Sequence, residues 1–170
     1  MNRRALMLGA LALSGCASKA GRPPSAAVER GDPVQFTFGT IDGGELSSDT
    51  TRGRTTLLLF VTTYDLPSQA EAQLLREVVS THKPRANAGI VMMEPPQSAA
   101  LAQVWRDSLK LDLPVAMASP SLLSGESQLG RIGGVPTLVV LDRRGRLVAR
   151  REGALGRAQI EEYARRGDAP

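Results

Sequence analysis

The stretch Thr55-Thr56-Leu57-Leu58-Leu59-Phe60-Val61-Thr62-Thr63-Tyr64-Asp65-Leu66-Pro67-Ser68-Gln69-Ala70-Glu71 runs from an unbroken apolar segment through a polar break into a helical pattern. Apolar residues without alternation, Leu57 to Val61, suit a strand covered on both faces of a parallel or mixed sheet, so a strand is predicted over 55–62. Beyond the break at 64–67, Ala70, Leu74, Leu75, Val78 and Val79 recur at helical spacing, which predicts a helix over 68–81 with those residues inward. Free N–H groups at a helix start call for an acceptor, and Asp65 is placed to be that cap. Pro67 is tolerated in the first turn, where its missing N–H would be unpaired in any case.

Working outward, Ala88 to Met93 is a second apolar strand, and strand, helix, strand order implies a right-handed crossover between parallel neighbours. Residues 98–109 repeat the helical pattern with Leu101, Ala102, Trp105 and Leu109 inward, and 113–118 can return as an edge strand. Strands over 137–141 and 147–151 bracket the hairpin turn Asp142-Arg143-Arg144-Gly145. A helix over 157–166, with Ile160, Tyr163 and Ala164 inward, closes the chain. Upstream, Val34 to Ile41 alternates through Val34, Phe36 and Phe38, and Asp42-Gly43-Gly44 turns it into a short return segment, Glu45 to Ser47, giving an N-terminal hairpin.

The whole chain has 170 residues, 42% hydrophobic and 22% charged, which fits one compact domain with a tail. Aromatics make up only 4%, too few for the stacking platforms of a nucleic-acid binder. Net charge is +4; without Arg3 and Arg4 there remain 19 basic and 17 acidic residues, a balance that implies no acidic partner. Those two arginines open a leader: Asn2-Arg3-Arg4, an apolar run from Ala5 to Leu13, then Leu13-Ser14-Gly15-Cys16. A positive start, an apolar stretch and small residues before a cleavage point make an export signal, too short to span a bilayer. The tetrapeptide resembles the bacterial lipobox, which implies that Cys16, the only cysteine, carries lipid and anchors the protein to a membrane. Arg3-Arg4 fits a relaxed twin-arginine signal or a plain charged n-region equally. Ala17 is not the aspartate that resembles an inner-membrane retention signal, so an outer-membrane anchor facing the periplasm is expected. Residues 1–15 are read as signal peptide, 16–32 as a flexible tether of Ala, Ser, Gly, Pro and charge, and 33–170 as the folded domain.

Three stretches together resemble the thioredoxin-like proteins of the TlpA and redoxin type, over roughly Pro33 to Arg166. Asp42-Gly43-Gly44 through Thr55 to Phe60 is similar to the family's turn, "rGK" segment and first core strand. Phe60 to Glu71 is similar to F-W-A-T-W-C-P-P-C-R-A-E, and Gly134-Val135-Pro136-Thr137 through Asp142 to Arg146 to G-V-P-T-x-x-x-I-D-x-x-G-x. The resemblance implies an α/β, thioredoxin-like fold: a central mixed sheet flanked by helices, with an N-terminal hairpin extension. It also implies a cis Val135-Pro136 bond beside Tyr64 to Ser68, exposing the backbone of Val135 to an extended peptide.

At the chemical centre the chain departs from the pattern. Asp65 and Ser68 occupy the positions of the two redox cysteines, and Tyr64 that of a tryptophan. Thiol exchange needs a thiolate to attack sulfur, which neither a carboxylate nor a hydroxyl can do. The expectation is a redox-inactive binding or scaffolding module of the cell envelope, with a protein or peptide partner held by Tyr64, Leu66, Pro67, Val135, Pro136 and Thr137. Two other classes stand beside it: a thiol-disulfide oxidoreductase, which the fold implies and the missing thiols oppose, and a holdase for periplasmic chains. No catalytic residue, cofactor or metal is expected: the one histidine, His82, falls at the far end of the helix as a solvated C-terminal residue. Met92, Met93 and Met117 read as core filler. Arg143, Arg144, Arg146, Arg150 and Arg151 read as a solvated edge, with contact to anionic headgroups as the functional alternative.

Overall fold

A computed structural model describes residues 31–82 and 85–168. The lipid site at Cys16, the leader over 1–15 and nearly all of the tether lie outside the described residues. Element order is β1 (Thr37–Gly39), β2 (Glu45–Ser47), α1 (Ser48–Thr51), β3 (Thr55–Val61), α2 (Leu66–His82), β4 (Ala86–Met92), α3 (Ala99–Ser108), β5 (Val115–Met117), α4 (Pro120–Ser124), β6 (Thr137–Leu141), β7 (Leu147–Glu152) and α5 (Arg157–Asp168). The main sheet runs β5-β4-β3-β6-β7, with β3, β4 and β5 parallel and β6 and β7 antiparallel; β1 and β2 form the separate hairpin.

All seven residues of β3 are buried, as its continuous apolar run requires. Its alternating side chains feed two cores. Leu57, Leu59 and Val61 meet Leu75, Val78, Trp105 and Ile160 of α2, α3 and α5 on one face. Leu58 and Phe60 meet Phe36, Phe38, Leu46 and Leu122 of the hairpin and α4 on the other. Strands β6, β7 and α5 lie where the sequence pattern puts them, with Ile160, Tyr163 and Ala164 buried.

Several boundaries differ from expectation. The strand expected over 34–41 survives only at 37–39 because its ends bond elsewhere: Val34 donates to Gly145, and Ile41 donates to Val115 while Thr40 bridges Ala116. Helix α2 starts two residues early. Its buried face is Ser68, Glu71, Ala72, Leu75, Val78 and Val79, while Ala70 is exposed and Leu74 half-buried. Ala70 lies five residues before Leu75, about 140° around the helix, and so turns to solvent. In α3, Ala102 and Trp105 take the contact with the sheet, and Leu101, about 100° around from Ala102, is 54% exposed. Strand β5 is half the expected length, since Pro114 has no N–H to extend the ladder. Helices α1 and α4 were not expected; Ser47 caps the first in a capping box with Thr50, and Ser119 caps the second before Pro120.

Gly89 of β4 admits the hairpin against the sheet. A Cβ there would stand 2.4 Å from Cδ2 and 3.3 Å from Cγ of Leu46, itself 5% exposed. Gly89→Ala is therefore expected to destabilise by about 1–3 kcal/mol through overpacking. Urea unfolding should show a smaller loss when the same change is made in a Leu46→Ala background; equal losses in both would refute the contact.

Candidate functional site

The register of the sheet brings the two family-like segments to one end. Phe60 pairs with Thr137, so the turn that follows β3 and the loop that precedes β6 leave the sheet together. Asp65 caps α2: one carboxylate oxygen accepts from the Ser68 N–H at 2.8 Å and from the Ser68 hydroxyl at 2.6 Å, and the Asp65 carbonyl accepts from Gln69 N–H. Ser68 is fully buried, whereas Tyr64 and Leu66 are 80% and 74% exposed and Pro67 is also exposed. The Asp65–Ser68 hydrogen bonds thus span the same three-residue step that a Cys-x-x-Cys disulfide would span.

The turn is pinned behind Tyr64. Glu94, following β4, accepts from both the N–H and the hydroxyl of Thr63 at 2.8 and 2.7 Å, and Gln69 donates to the Thr63 carbonyl. Across the sheet the Val135-Pro136 bond is cis. Val135 is half-buried; Pro136 and Thr137 are buried. The Thr137 hydroxyl donates to the Gly134 carbonyl, and Gly153 N–H donates to that of Pro136. Between them, the N–H and C=O of Val135 have no partner among the described residues. The Glu152 carboxylate lies against Gly133 and Gly134, where a Cβ on Gly134 would meet it at 2.4 Å.

Beneath the cap lies Glu71, 1% exposed. One of its oxygens accepts from Leu155 N–H at 3.0 Å and the other has no partner among the described residues. Burial pushes its pKa up to about 7, against a smaller lowering by that hydrogen bond. Composition hid this residue, but period did not: Glu71 stands four before Leu75 and seven before Val78, on the buried face. Glu94, in the loop after β4, and Glu152, the last residue of β7, stand where no local pattern marks them.

Other residues singled out in the sequence lie elsewhere. His82 ends α2, its Nδ1 at 2.8 Å from the Val78 carbonyl, some 20 Å along the helix from Ser68. Met92 and Met117 are buried within the core, and Met93 packs partly buried beside it. The arginines of the β6–β7 hairpin are mostly tied down: Arg143 pairs with Asp168, Arg146 with Asp142, Arg150 donates to the Arg131 carbonyl and Arg151 to the Tyr163 hydroxyl.

No protein-family model and no curated protein matches the sequence. Solved structures do match. The dsbF of MTB aligns with a TM-score of 0.69 at 16% identity, covering 81% of this chain and 100% of its own. A thiol:disulfide interchange protein of the thioredoxin family from Chlorobium tepidum gives 0.69 at 22% identity, covering 82% and 97%. The exposed lipoprotein thioredoxin Etrx1 from Streptococcus pneumoniae gives 0.62 at 18% identity, covering 77% and 98%. The fold is thioredoxin-like.

Two measurements follow from the cap and from the buried acid. Asp65→Ala should lower stability by about 0.5–2 kcal/mol, the usual worth of an N-cap, with Asp65→Asn close to wild type. For Glu71 the folded pKa lies above the unfolded one, so stability is fully present below about pH 4.5 and falls as pH rises towards 7. The loss should be on the order of 3 kcal/mol. Unfolding curves of Glu71→Gln should lack that decline; an unchanged pH dependence would place the raised pKa elsewhere.

Proposed function

We propose that the protein is a redox-inactive, peptide-binding or scaffolding module of the cell envelope, anchored by lipid at Cys16 and facing the periplasm, with the outer membrane favoured. The observation that carries this reading is the Val135 backbone: an N–H and C=O unpaired among the described residues, in the loop at the same end of the sheet as exposed Tyr64, Leu66 and Pro67. An extended chain can pair with such a backbone as an added strand segment, while the exposed rings and Leu66 grip its side chains. Neither interaction needs sulfur. Asp65 and Ser68 hold the helix start through oxygen groups hydrogen-bonded to each other, with no sulfur, so the grip does not switch with redox state.

The anchor is supported by the lipobox-like Leu13-Ser14-Gly15-Cys16, and by the fact that one structurally similar protein is itself described as an exposed lipoprotein. Among the described residues no helix is long and apolar enough to cross a membrane.

Three readouts bear on the proposal. Intact-mass analysis of the membrane fraction should find a lipid-modified N-terminus at Cys16, and an unmodified one upstream would remove the anchor. Insulin reduction should not exceed a denatured control. A photo-crosslinking residue at Leu66 in intact cells should trap envelope polypeptides, and one at Lys110, beyond the other end of α3, should not; equal capture at both positions would sink the binding surface.

A further inference from the structure

At the opposite end of the sheet a cleft of about 430 Å³ opens beside the start of β4. It lies within the range of small-ligand pockets, about 300–1,000 Å³. It exists because β5 is short. Strand β4 pairs with β5 only from Ile90 to Met92, leaving Ala86 to Gly89 without a strand neighbour on that side among the described residues. The floor is apolar: Leu46, Val79, Ala86, Ala88 and Leu113, all buried.

The same break leaves an acceptor open. Ile90 N–H donates to the Pro114 carbonyl and Ala118 N–H to the Met92 carbonyl, so the even-numbered residues of β4 turn their backbone groups towards β5. Continuing that ladder by one step, the donor for the Ala88 carbonyl would be the N–H of residue 114. Residue 114 is proline and has none. The Ala88 carbonyl therefore faces the cleft without that bond.

The rim carries charge of both signs. Arg54 and Glu45 are exposed, and neither has an ion-pair partner among the described residues; Asp112, also on the rim, is engaged. Asn87 is held by a hydrogen bond from its side-chain nitrogen to the Thr51 carbonyl. A cation for a carboxylate, an acid and a bare carbonyl for an ammonium group, and an apolar floor between them together describe a complementary ligand.

We infer that this cleft is a binding site for a small zwitterionic peptide with apolar side chains: its carboxylate meets Arg54, its ammonium group meets Glu45 and the Ala88 carbonyl, and its side chains cover Leu46, Val79 and Leu113. The site is separate from the Val135 loop and does not depend on it.

The test uses the isotope-labelled full chain in detergent, titrated with leucyl-leucine and, in parallel, with the same dipeptide acetylated and amidated. Leucyl-leucine should shift the resonances of Leu46, Asn87, Ala88 and Leu113 with a Kd at or below about 1 mM. Arg54→Ala should weaken it at least tenfold. Pro114→Ala, which supplies the missing N–H to Ala88, should weaken it several-fold. Arg54 is exposed and outside the core, so its variant reports binding rather than folding. No shift at these residues up to about 10 mM, equal binding of the capped peptide, or indifference to Arg54→Ala would each overturn the inference.

Discussion

Burial of β3 on both faces is the constraint from which the rest of the molecule follows. A strand whose seven residues all avoid water must be covered twice, and the two covers are different in kind. Helices α2, α3 and α5 close one face, and the small hairpin with α4 closes the other. The coverage demands a particular ordering of the chain. The helix that leaves β3 must fold back at once, which sets a tight turn at Thr62 to Asp65 and puts a helix N-terminus at the strand's end. The antiparallel strand β6 on its other flank brings the Val135-Pro136 loop to the same edge. The site is thus a by-product of satisfying one apolar strand.

Such a helix start stabilises negative charge, because its free N–H groups and aligned peptide dipoles face whatever sits in front of them. Where a thiolate would exploit that field for exchange chemistry, Asp65 places its side-chain oxygen. It adds a hydrogen bond to the Ser68 hydroxyl, so both positions are filled by mutually satisfied oxygen groups. The result is a capped helix start. Glu71, one turn deeper, remains buried with one oxygen unpartnered among the described residues, an arrangement whose cost to stability grows as pH rises from about 4.5 towards 7. The structure tolerates that cost within a core otherwise well closed around it.

The two ends of the sheet owe their open backbone groups to proline in different ways. At one end Pro136 sits in a loop whose preceding residue has no backbone partner among the described residues. At the other, Pro114 halts a ladder and leaves a carbonyl of β4 bare beside a hollow. Polar backbone groups away from ladder partners carry a free-energy cost unless water or a ligand meets them, so each open group is a place where a partner gains by binding.

Much of this was determined by local sequence. The apolar run at Leu57 to Val61 specified a doubly covered strand, the Asp142 to Gly145 turn specified its hairpin, and Asp65 before Leu66 specified a helix cap, because each depends on neighbours a few residues apart. The absence of cysteine at 65 and 68 likewise excludes thiol exchange there without any structure. What lay beyond local reach depended on segments distant in the chain. Leu101 reads as inward by period, yet turns outward because Ala102 and Trp105 take the sheet contact. Val34 and Ile41 belong to one alternating run, yet bond to different partners, Gly145 and Val115. Glu94 meets Thr63, and Glu152 lies against Gly134, only because β3, β4, β6 and β7 stand side by side. Periodicity records which face of an element is apolar; which neighbour covers that face, and which polar groups the covering strands leave unpaired, is decided by packing across the whole sheet.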